Sequence, residues 1–439
     1  MLGERLTVEP IARFEGTLAL PGSKSLSNRI LLLSALAEGT TEVMRVLDSD
    51  DTRVMFTALR ALGVEIRGEP TDGSVWITGK AGPLRAPRGA GDAIELFLGN
   101  AGTAMRPLTA VLAAGHGTFV LGGVPRMHER PIADLVTGLR QLGARVSYVG
   151  RDGFPPVRID ASGLAGGTAR ISGAVSSQFL SALLIAAPLA RGHVSLEIVD
   201  TLVSKPYVDM TIALLARFGV SVTQSAPLRY EIRAPQRYRS PGRALVEGDA
   251  SSASYFLAGA AITGGKVRVD GCGADSLQGD ARFAQVLERM GARVGYEPAA
   301  IEVEGGTTLN GIDADLTAMP DAAMTLAVAA LFARGATTLR GIGTWRVKET
   351  DRITAVSAEL GKLGARTEVT ADTLVVHPPA RIRPATIATY DDHRMAMAFS
   401  LAACGGEPVV IENPACVAKT FPGYFDELRH LTVRGQRAG

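Results

Sequence analysis

Cysteine is scarce in this 439-residue chain: three, at 272, 404 and 416, an odd number with no Cys-x-x-Cys pair. That pattern excludes a disulfide framework and a zinc ribbon. The six histidines are scattered without ligand spacing, so no metal set is expected. Aromatic residues make up 5% and the formal net charge is +2. A nucleic-acid surface needs a basic stripe interleaved with aromatics, and neither is present. The N-terminus carries neither an apolar signal core nor an Arg- and Ser-rich transit segment. Apolar runs are Ala- and Gly-rich and shorter than a membrane span. A soluble chain in a reducing cytoplasm is the expectation. No Gly-x-Gly-x-x-Gly follows a strand pattern, and no Ser-His-Asp set can be read from sequence. Lysine is also rare, seven of 46 basic residues. Lys24, Lys348 and Lys419 nonetheless fall inside the densest polar motifs. An ammonium can release its proton when partly buried, and a guanidinium practically cannot; arginine-biased codon usage would give the same count.

What the chain has is one pattern, six times over. A polar turn opens into a run of small apolar residues at Gly22-Ser-Lys-Ser-Leu-Ser-Asn-Arg29, Gly99-Asn-Ala-Gly-Thr103, Val175-Ser-Ser-Gln178, Glu247-Gly-Asp-Ala-Ser-Ser252, Met319-Pro-Asp321 and Tyr390-Asp-Asp-His-Arg394. The starts recur at intervals of roughly 70 to 77 residues, which marks repeated architecture. The runs are apolar nearly all round, so each predicts a helix buried on every side. Leu62-Gly, Leu142-Gly, Phe218-Gly, Met290-Gly and Leu363-Gly each close a second, amphipathic helix, with glycine as its C-cap. Alternating residues after each cap read as strands. Each unit is therefore strand, buried helix, strand, amphipathic helix, strand pair: an α/β fold.

A composition of 46% hydrophobic residues is too much for one core, and the length suggests two or three domains. Leu20-Pro-Gly22 and the stretch from Arg237-Tyr-Arg-Ser-Pro-Gly242 to Glu247-Gly248 are the expected crossings. They divide the chain into a three-repeat domain, 23–247, and a discontinuous one, 1–22 plus 248–439.

Helix N-termini attract anions, and here they carry cations and hydroxyls. Lys24, Ser25 and Arg29 form such a set. With Ser23 intervening and Pro21 in the loop it is a poor nucleotide P-loop, and an N-cap with incidental surface charge explains it equally well. Arg126-Met-His-Glu-Arg130 places two guanidiniums beside a turn, suited to phosphate or carboxylate or else simply solvated. Gln178 follows two serines that already serve as caps, so capping is its weaker explanation. Asp321 at the head of an apolar run reads first as an N-cap carboxylate. Arg346, Lys348, Glu349, Asp351 and Arg352 crowd within seven residues beside Trp345; a solvated face is the usual fate of such runs, and the tryptophan points to partial burial. His393 reads as structural. Fixed cations with a few carboxylates suit proton transfer and electrostatic stabilisation of charged substrates.

Seven strings in order, Leu-Pro-Gly-Ser-Lys-Ser-x-Ser-Asn-Arg, Gly-Asn-Ala-Gly-Thr-Ala-Met-Arg-Pro, Pro-Arg-Met-x-Glu-Arg-Pro, Ser-Ser-Gln-Phe, Arg-Val-Lys-Glu-Thr-Asp-Arg, Asp-His-Arg-Met-Ala and Ala-Lys-Thr-Phe-Pro, run from about Pro10 to Leu428. The chain resembles the 5-enolpyruvylshikimate-3-phosphate synthases, in their bacterial, glyphosate-sensitive form. The resemblance implies a two-domain enolpyruvyl transferase fold of six βαβαββ repeats, three per domain. It implies transfer of the enolpyruvyl group of phosphoenolpyruvate to the 5-hydroxyl of shikimate 3-phosphate, with no cofactor or metal, and glyphosate as an inhibitor. By the same resemblance shikimate 3-phosphate would meet Lys24, Ser25, Arg29, Ser176, Ser177, Gln178, Ser204, Tyr207, Asp321, Thr344 and Lys348. Phosphoenolpyruvate would meet Lys24, Asn100, Gly102, Arg126, Gln178, Arg352, Arg394 and Lys419. Asp321 would be the base, Glu349 the acid that protonates the methylene carbon, and Lys24 a donor or relay. Three positions depart from the pattern: Thr344 stands for Asn, His128 for Lys and Asp391 for Asn. The cations would offset the roughly five to six negative charges that the two substrates bring. A monomer is expected.

Two competing readings remain at this level. A UDP-N-acetylglucosamine enolpyruvyl transferase would share the architecture but carries a reactive Cys in the loop matching Arg126 to Arg130, where this chain has none. A non-catalytic binder of phosphorylated metabolites would need the cations but neither Asp321 nor Glu349.

Overall fold

The computed structural model describes residues 3–87 and 93–434; Met1 and Leu2 of the N-terminal reading lie outside the described residues. The chain divides into two compact units, Gly22–Val246 and Met1–Pro21 with Glu247–Gly439.

Sheets of one design recur in both units. In the Gly22–Val246 unit, strand Gly167–Ile171 pairs parallel with Val194–Ile198, and the buried helix Ser177–Ala186 connects them. Val194–Ile198 then pairs antiparallel with Arg229–Ile232, whose hairpin partner Thr223–Ala226 forms the edge. The outer helix Lys205–Arg217 fills the crossover. The same order holds for Ile94–Phe97, His116–Gly122, Val157–Ser162 and Val146–Tyr148, and for Arg243–Leu245, Thr40–Met44, Ser74–Thr78 and Glu65–Arg67. In the other unit it recurs in Asp313–Asp315, Thr337–Arg340, Leu374–His377 and Arg366–Val369. It recurs again in Ile11–Ala19, Lys266–Asp270, Ala300–Glu304 and Arg293–Glu297, with Thr432–Arg434 added beside Ile11–Ala19. The last sheet takes Arg5–Val8 against Val409–Glu412, which runs parallel to Ala385–Ile387.

One strand does not belong where sequence order suggests. The segment Thr17–Ala19 just before Lys24 pairs with Lys266–Asp270, in the unit that does not contain Lys24. The repeat that holds Lys24 takes its first strand from the far end of its own unit, Arg243–Leu245. Chain neighbours at Pro21 and Gly22 thus go to different cores.

The interior helices are buried because they offer no polar face. In Lys24–Leu36 every residue except Ser25 is buried, polar ones included. Ala250–Thr263 packs so closely that a Cβ at Gly259 would lie 2.7 Å from the Phe14 ring, so only glycine lets the ring sit there. The outer helices end at Gly63, Gly143, Gly219, Gly291 and Gly364, with φ of 76°, 93°, 77°, 114° and 99°. These left-handed conformations are what the C-cap requires and what a side chain resists.

Candidate active site

In the Gly22–Val246 unit the predicted residues gather at the starts of four helices. Lys24 is the first residue of its helix, and Nζ lies 3.2 Å from Asp51 Oδ2, both side chains nearly buried. Asn28 Nδ2 donates to Thr103 Oγ1 at 2.7 Å, which ties this helix to Gly102–Ala113. Arg29 is buried; Nη1 donates to the Ser25 carbonyl at 2.9 Å and Nε to Thr211 Oγ1 at 2.8 Å. Burial pushes its pKa down to about 10, against the smaller opposing pull of Tyr207. Thr211 Oγ1 donates to the Tyr207 carbonyl at 2.8 Å, and Ser181 Oγ reaches the same oxygen at 3.5 Å. Ser181 lies one turn into Ser177–Ala186, so this contact ties that helix to the helix Lys205–Arg217 that carries Tyr207. Ser176 caps that helix by accepting from Gln178 N at 3.2 Å. Ser204, at φ 53°, opens the helix that carries Tyr207.

Asn100 precedes the second buried helix, and Gly102 is its first residue. Arg130 Nη1 donates to the Asn100 carbonyl at 2.8 Å and to its side-chain oxygen at 3.0 Å. Arg126 stands on the turn Pro125–Glu129 and pairs with Glu129 at 2.7 Å. A Cβ at Gly102 would meet Arg106 Nη1 and Arg130 Nη2, each at 2.8 Å. The missing side chain keeps two guanidinium ends in place.

In the other unit Asp321 is the hub. It is not the N-cap that its position suggested: the helix Ala323–Ala329 starts from Ala322, with no side-chain cap. Its carboxylate is turned instead to three cations. Arg352 Nη1 donates to Oδ1 at 2.9 Å, Arg394 Nη2 donates to Oδ2 at 3.0 Å, and Lys348 Nζ stands 3.7 Å from Oδ1. Burial alone would raise the pKa of Asp321, but Arg394, Lys348 and Arg352 outweigh it and hold the acid well below the usual carboxylate range. Arg352 also donates to Glu349 at 3.0 Å and to both oxygens of Asp392, at 2.7 and 3.2 Å. Burial would lower its pKa, yet Asp392, Glu349 and Asp321 together drive it up, so it stays charged. Asp392 in turn caps His393–Ser400, accepting from Arg394 N at 2.9 Å. His393 is buried with Nδ1 3.5 Å from Asp392. The indole of Trp345, fully buried rather than partly so, donates to the Pro320 carbonyl at 2.6 Å and anchors the turn that presents Asp321.

Asp321, Lys348, Glu349, Arg352 and Arg394 are thus one connected cluster. Lys419 is buried at the end of the turn Pro414–Lys419. Thr344 lies outside the cluster; it is buried, and its hydroxyl finds no hydrogen-bond partner among the described residues. The sequence suggested a surplus of cations. The structure instead matches Lys348, Arg352 and Arg394 against Asp321, Glu349 and Asp392, and Lys24 against Asp51, because a buried charge without a partner is costly. An anionic ligand here would have to compete with resident carboxylates.

Sequence reasoning passed over Asp51, Asn28, Thr103, Tyr255 and the role of Asp392. Asp51 reads as an acidic residue in a helix first turn, which the dipole alone explains. Tyr255, whose hydroxyl meets Arg394 Nη1 at 3.3 Å, sits in an apolar run with no local signal. Asp392 lay in a quoted string, and its neighbour Arg394 drew the attention.

Burial raises the thiol pKa of Cys272, Cys404 and Cys416, which leaves none of them activated. Among the described residues no group of His, Cys, Asp or Glu could hold a metal ion, and no helix is long and apolar enough to cross a membrane.

Known proteins resemble this chain along nearly its whole length. The family model for EPSP synthase (3-phosphoshikimate 1-carboxyvinyltransferase) matches residues 8–428. A 3-phosphoshikimate 1-carboxyvinyltransferase of Cupriavidus necator is 56% identical, over 98% of this chain and 100% of that protein. The chloroplastic enzyme of Brassica napus is 53% identical, over 97% of this chain and 85% of that protein. The solved EPSP synthase of Acinetobacter baumannii superposes with a TM-score of 0.82 at 29% identity, covering 98% of this chain and 99% of that one. The six-repeat, two-domain enolpyruvyl transferase fold is therefore the fold of this chain, and the chain belongs to the EPSP synthase family, the 3-phosphoshikimate 1-carboxyvinyltransferases.

Proposed function

We propose that the chain carries out its family's reaction with Asp321 as the base, Glu349 as the acid and Lys24 as donor or relay. The enolpyruvyl group of phosphoenolpyruvate passes to the 5-hydroxyl of shikimate 3-phosphate. In the addition step Asp321 takes the hydroxyl proton and the oxygen bonds to C2 of phosphoenolpyruvate. The double-bond electrons take a proton from Glu349 at C3, and a tetrahedral intermediate results. In the elimination step C3 returns a proton to the Glu349 carboxylate, the double bond re-forms and phosphate leaves C2.

The observation that carries this reading is the three-cation grip on Asp321. It keeps the carboxylate ionised but makes it a weak base. The phosphate and carboxylate of phosphoenolpyruvate are natural competitors for Arg352 and Arg394, as the anionic groups of shikimate 3-phosphate are for Lys348. As they draw cations away, the pKa of Asp321 rises, and the base gains strength once substrate is bound.

Each unit supplies its own groups. Lys24, Ser25, Arg29, Ser176, Ser177, Gln178, Ser204 and Tyr207 serve shikimate 3-phosphate in one; Asp321, Thr344 and Lys348 serve it in the other. For phosphoenolpyruvate the first gives Lys24, Asn100, Gly102, Arg126 and Gln178, the second Arg352, Arg394 and Lys419. The orphan hydroxyl of Thr344 supports a ligand contact at that position. Glyphosate inhibition, a monomeric state and a cytoplasmic setting belong to the same reading. The missing side chain at Gly102, where a Cβ would press on Arg106 and Arg130, supports the glyphosate-sensitive reading. The test is phosphate release with both substrates and with each omitted in turn. Release that requires both is expected; release from phosphoenolpyruvate alone would overturn the reading.

A further inference from the structure

The helix Arg352–Lys362 grips one short segment at two points. Arg352 and Glu359 are seven residues apart, hence two turns apart on one face, and both are buried. Arg352 holds Asp392, as described. Glu359 holds the residues just before it: Oε1 accepts from the Tyr390 hydroxyl at 2.8 Å and Oε2 from Ala388 N at 3.2 Å. Lys362 Nζ, 2.7 Å from Oε2, balances the buried charge.

The segment between these two grips is contorted. Tyr390 and Asp391 are consecutive non-glycine residues with φ of 53° and 55°. Left-handed residues of this kind persist only where their surroundings hold them. Asn413, itself at φ 45°, donates from Nδ2 to Asp391 Oδ1 at 3.1 Å and fixes the outer side. The bend is what turns Asp392 toward Arg352 and starts the helix from which Arg394 reaches Asp321.

We propose that Glu359 and Tyr390 are positioning residues: they staple the 388–391 bend to the helix Arg352–Lys362 and so set the spacing of Arg352 and Arg394 around Asp321. Neither touches the reacting groups. The inference rests on the proposed binding of phosphoenolpyruvate by the two arginines. Burial first, then the hydrogen bond to Glu359, raises the phenol of Tyr390 to about 12, so it remains a donor at physiological pH.

Tyr390 is 44% exposed, so Tyr390→Phe removes one hydroxyl without emptying the core. Expected in Tyr390→Phe and in Glu359→Gln is a KM for phosphoenolpyruvate raised about tenfold, with the KM for shikimate 3-phosphate unchanged and kcat within about threefold. In an Arg352→Lys background, Tyr390→Phe should add less than about twofold, since both act on one contact. A lowered melting temperature with an unchanged KM for phosphoenolpyruvate, or equal change in both KM values, would overturn the proposal. A second measurement needs no activity. Amide hydrogen exchange across 388–396 of the ligand-free protein should quicken in Tyr390→Phe, and unchanged exchange would also overturn it. Quickened exchange in a protein with no transferase activity would sink the functional reading while the staple stands.

Discussion

Replacing Asp321 with Asn separates the base from the binding site, because the two roles predict opposite signs. The amide keeps the shape of the carboxylate and can still accept from one guanidinium, but it cannot carry a proton away. A positioned general base contributes about 10²–10⁴ in rate, or roughly 3–5.5 kcal/mol at about 1.36 kcal/mol per tenfold. The ground state moves the other way. Asp321 occupies Arg352 at 2.9 Å and Arg394 at 3.0 Å, two cations that phosphoenolpyruvate would use. Removing the resident charge relieves that competition, and about 1 kcal/mol of relief tightens binding about fivefold. The expected outcome is kcat lowered by at least about 100-fold with the KM for phosphoenolpyruvate unchanged or reduced. Steady-state phosphate release at saturating shikimate 3-phosphate reads both constants. If kcat stays within about tenfold of wild type, Asp321 is not the base. If the KM for phosphoenolpyruvate rises instead, the carboxylate orders the arginines rather than competing with their ligand.

Gly102→Ala would place a methyl 2.8 Å from the ends of Arg106 and Arg130; these are flexible tips, so the protein should fold normally while the KM for phosphoenolpyruvate rises several-fold and glyphosate inhibition weakens, both read in the same assay. Trp345→Phe deletes the bond to the Pro320 carbonyl and should cost about 1–3 kcal/mol in urea melts for the stranded acceptor, with a fall in kcat as the Asp321 turn loosens; unchanged stability would refute the anchoring role. Asp280, raised to about 7 by burial first and then by the charge of Asp321, favours the folded state while protonated. Its contribution is full below the unfolded value of about 4 and is lost as pH rises through about 7, so Asp280→Asn should flatten the loss of stability between those limits, and an identical pH dependence of unfolding in the variant would contradict the assignment.

How much of this was legible in the sequence follows from which interactions are local. Helix ends are set by neighbours in the chain, and all five Leu-Gly, Phe-Gly and Met-Gly caps fell on residues in the left-handed region. Burial of the Ala-rich helices is likewise a property of their own composition. The identity of the site cations was carried by short strings for the same reason, since a loop that aims a side chain must have a particular backbone. Partners across the fold had no such signal. Nothing near Lys24 announces Asp51, and nothing near Asp321 says that its oxygens face Arg352, 31 residues on, and Arg394, 73 residues on. The N-cap reading of Asp321 failed because capping is a local rule applied where a tertiary charge cluster had the stronger claim: three cations outweigh one backbone N–H. Adjacency in the chain is likewise a weak guide to strand pairing: the strand before Lys24 pairs with Lys266–Asp270 in the other unit, and the repeat of Lys24 takes Arg243–Leu245 instead. Local rules therefore supplied the parts, and charge balance over long sequence separations decided which parts could work together. For that reason a variant such as Asp321→Asn, which changes charge and spares shape, is the sharper probe of this site than any truncation.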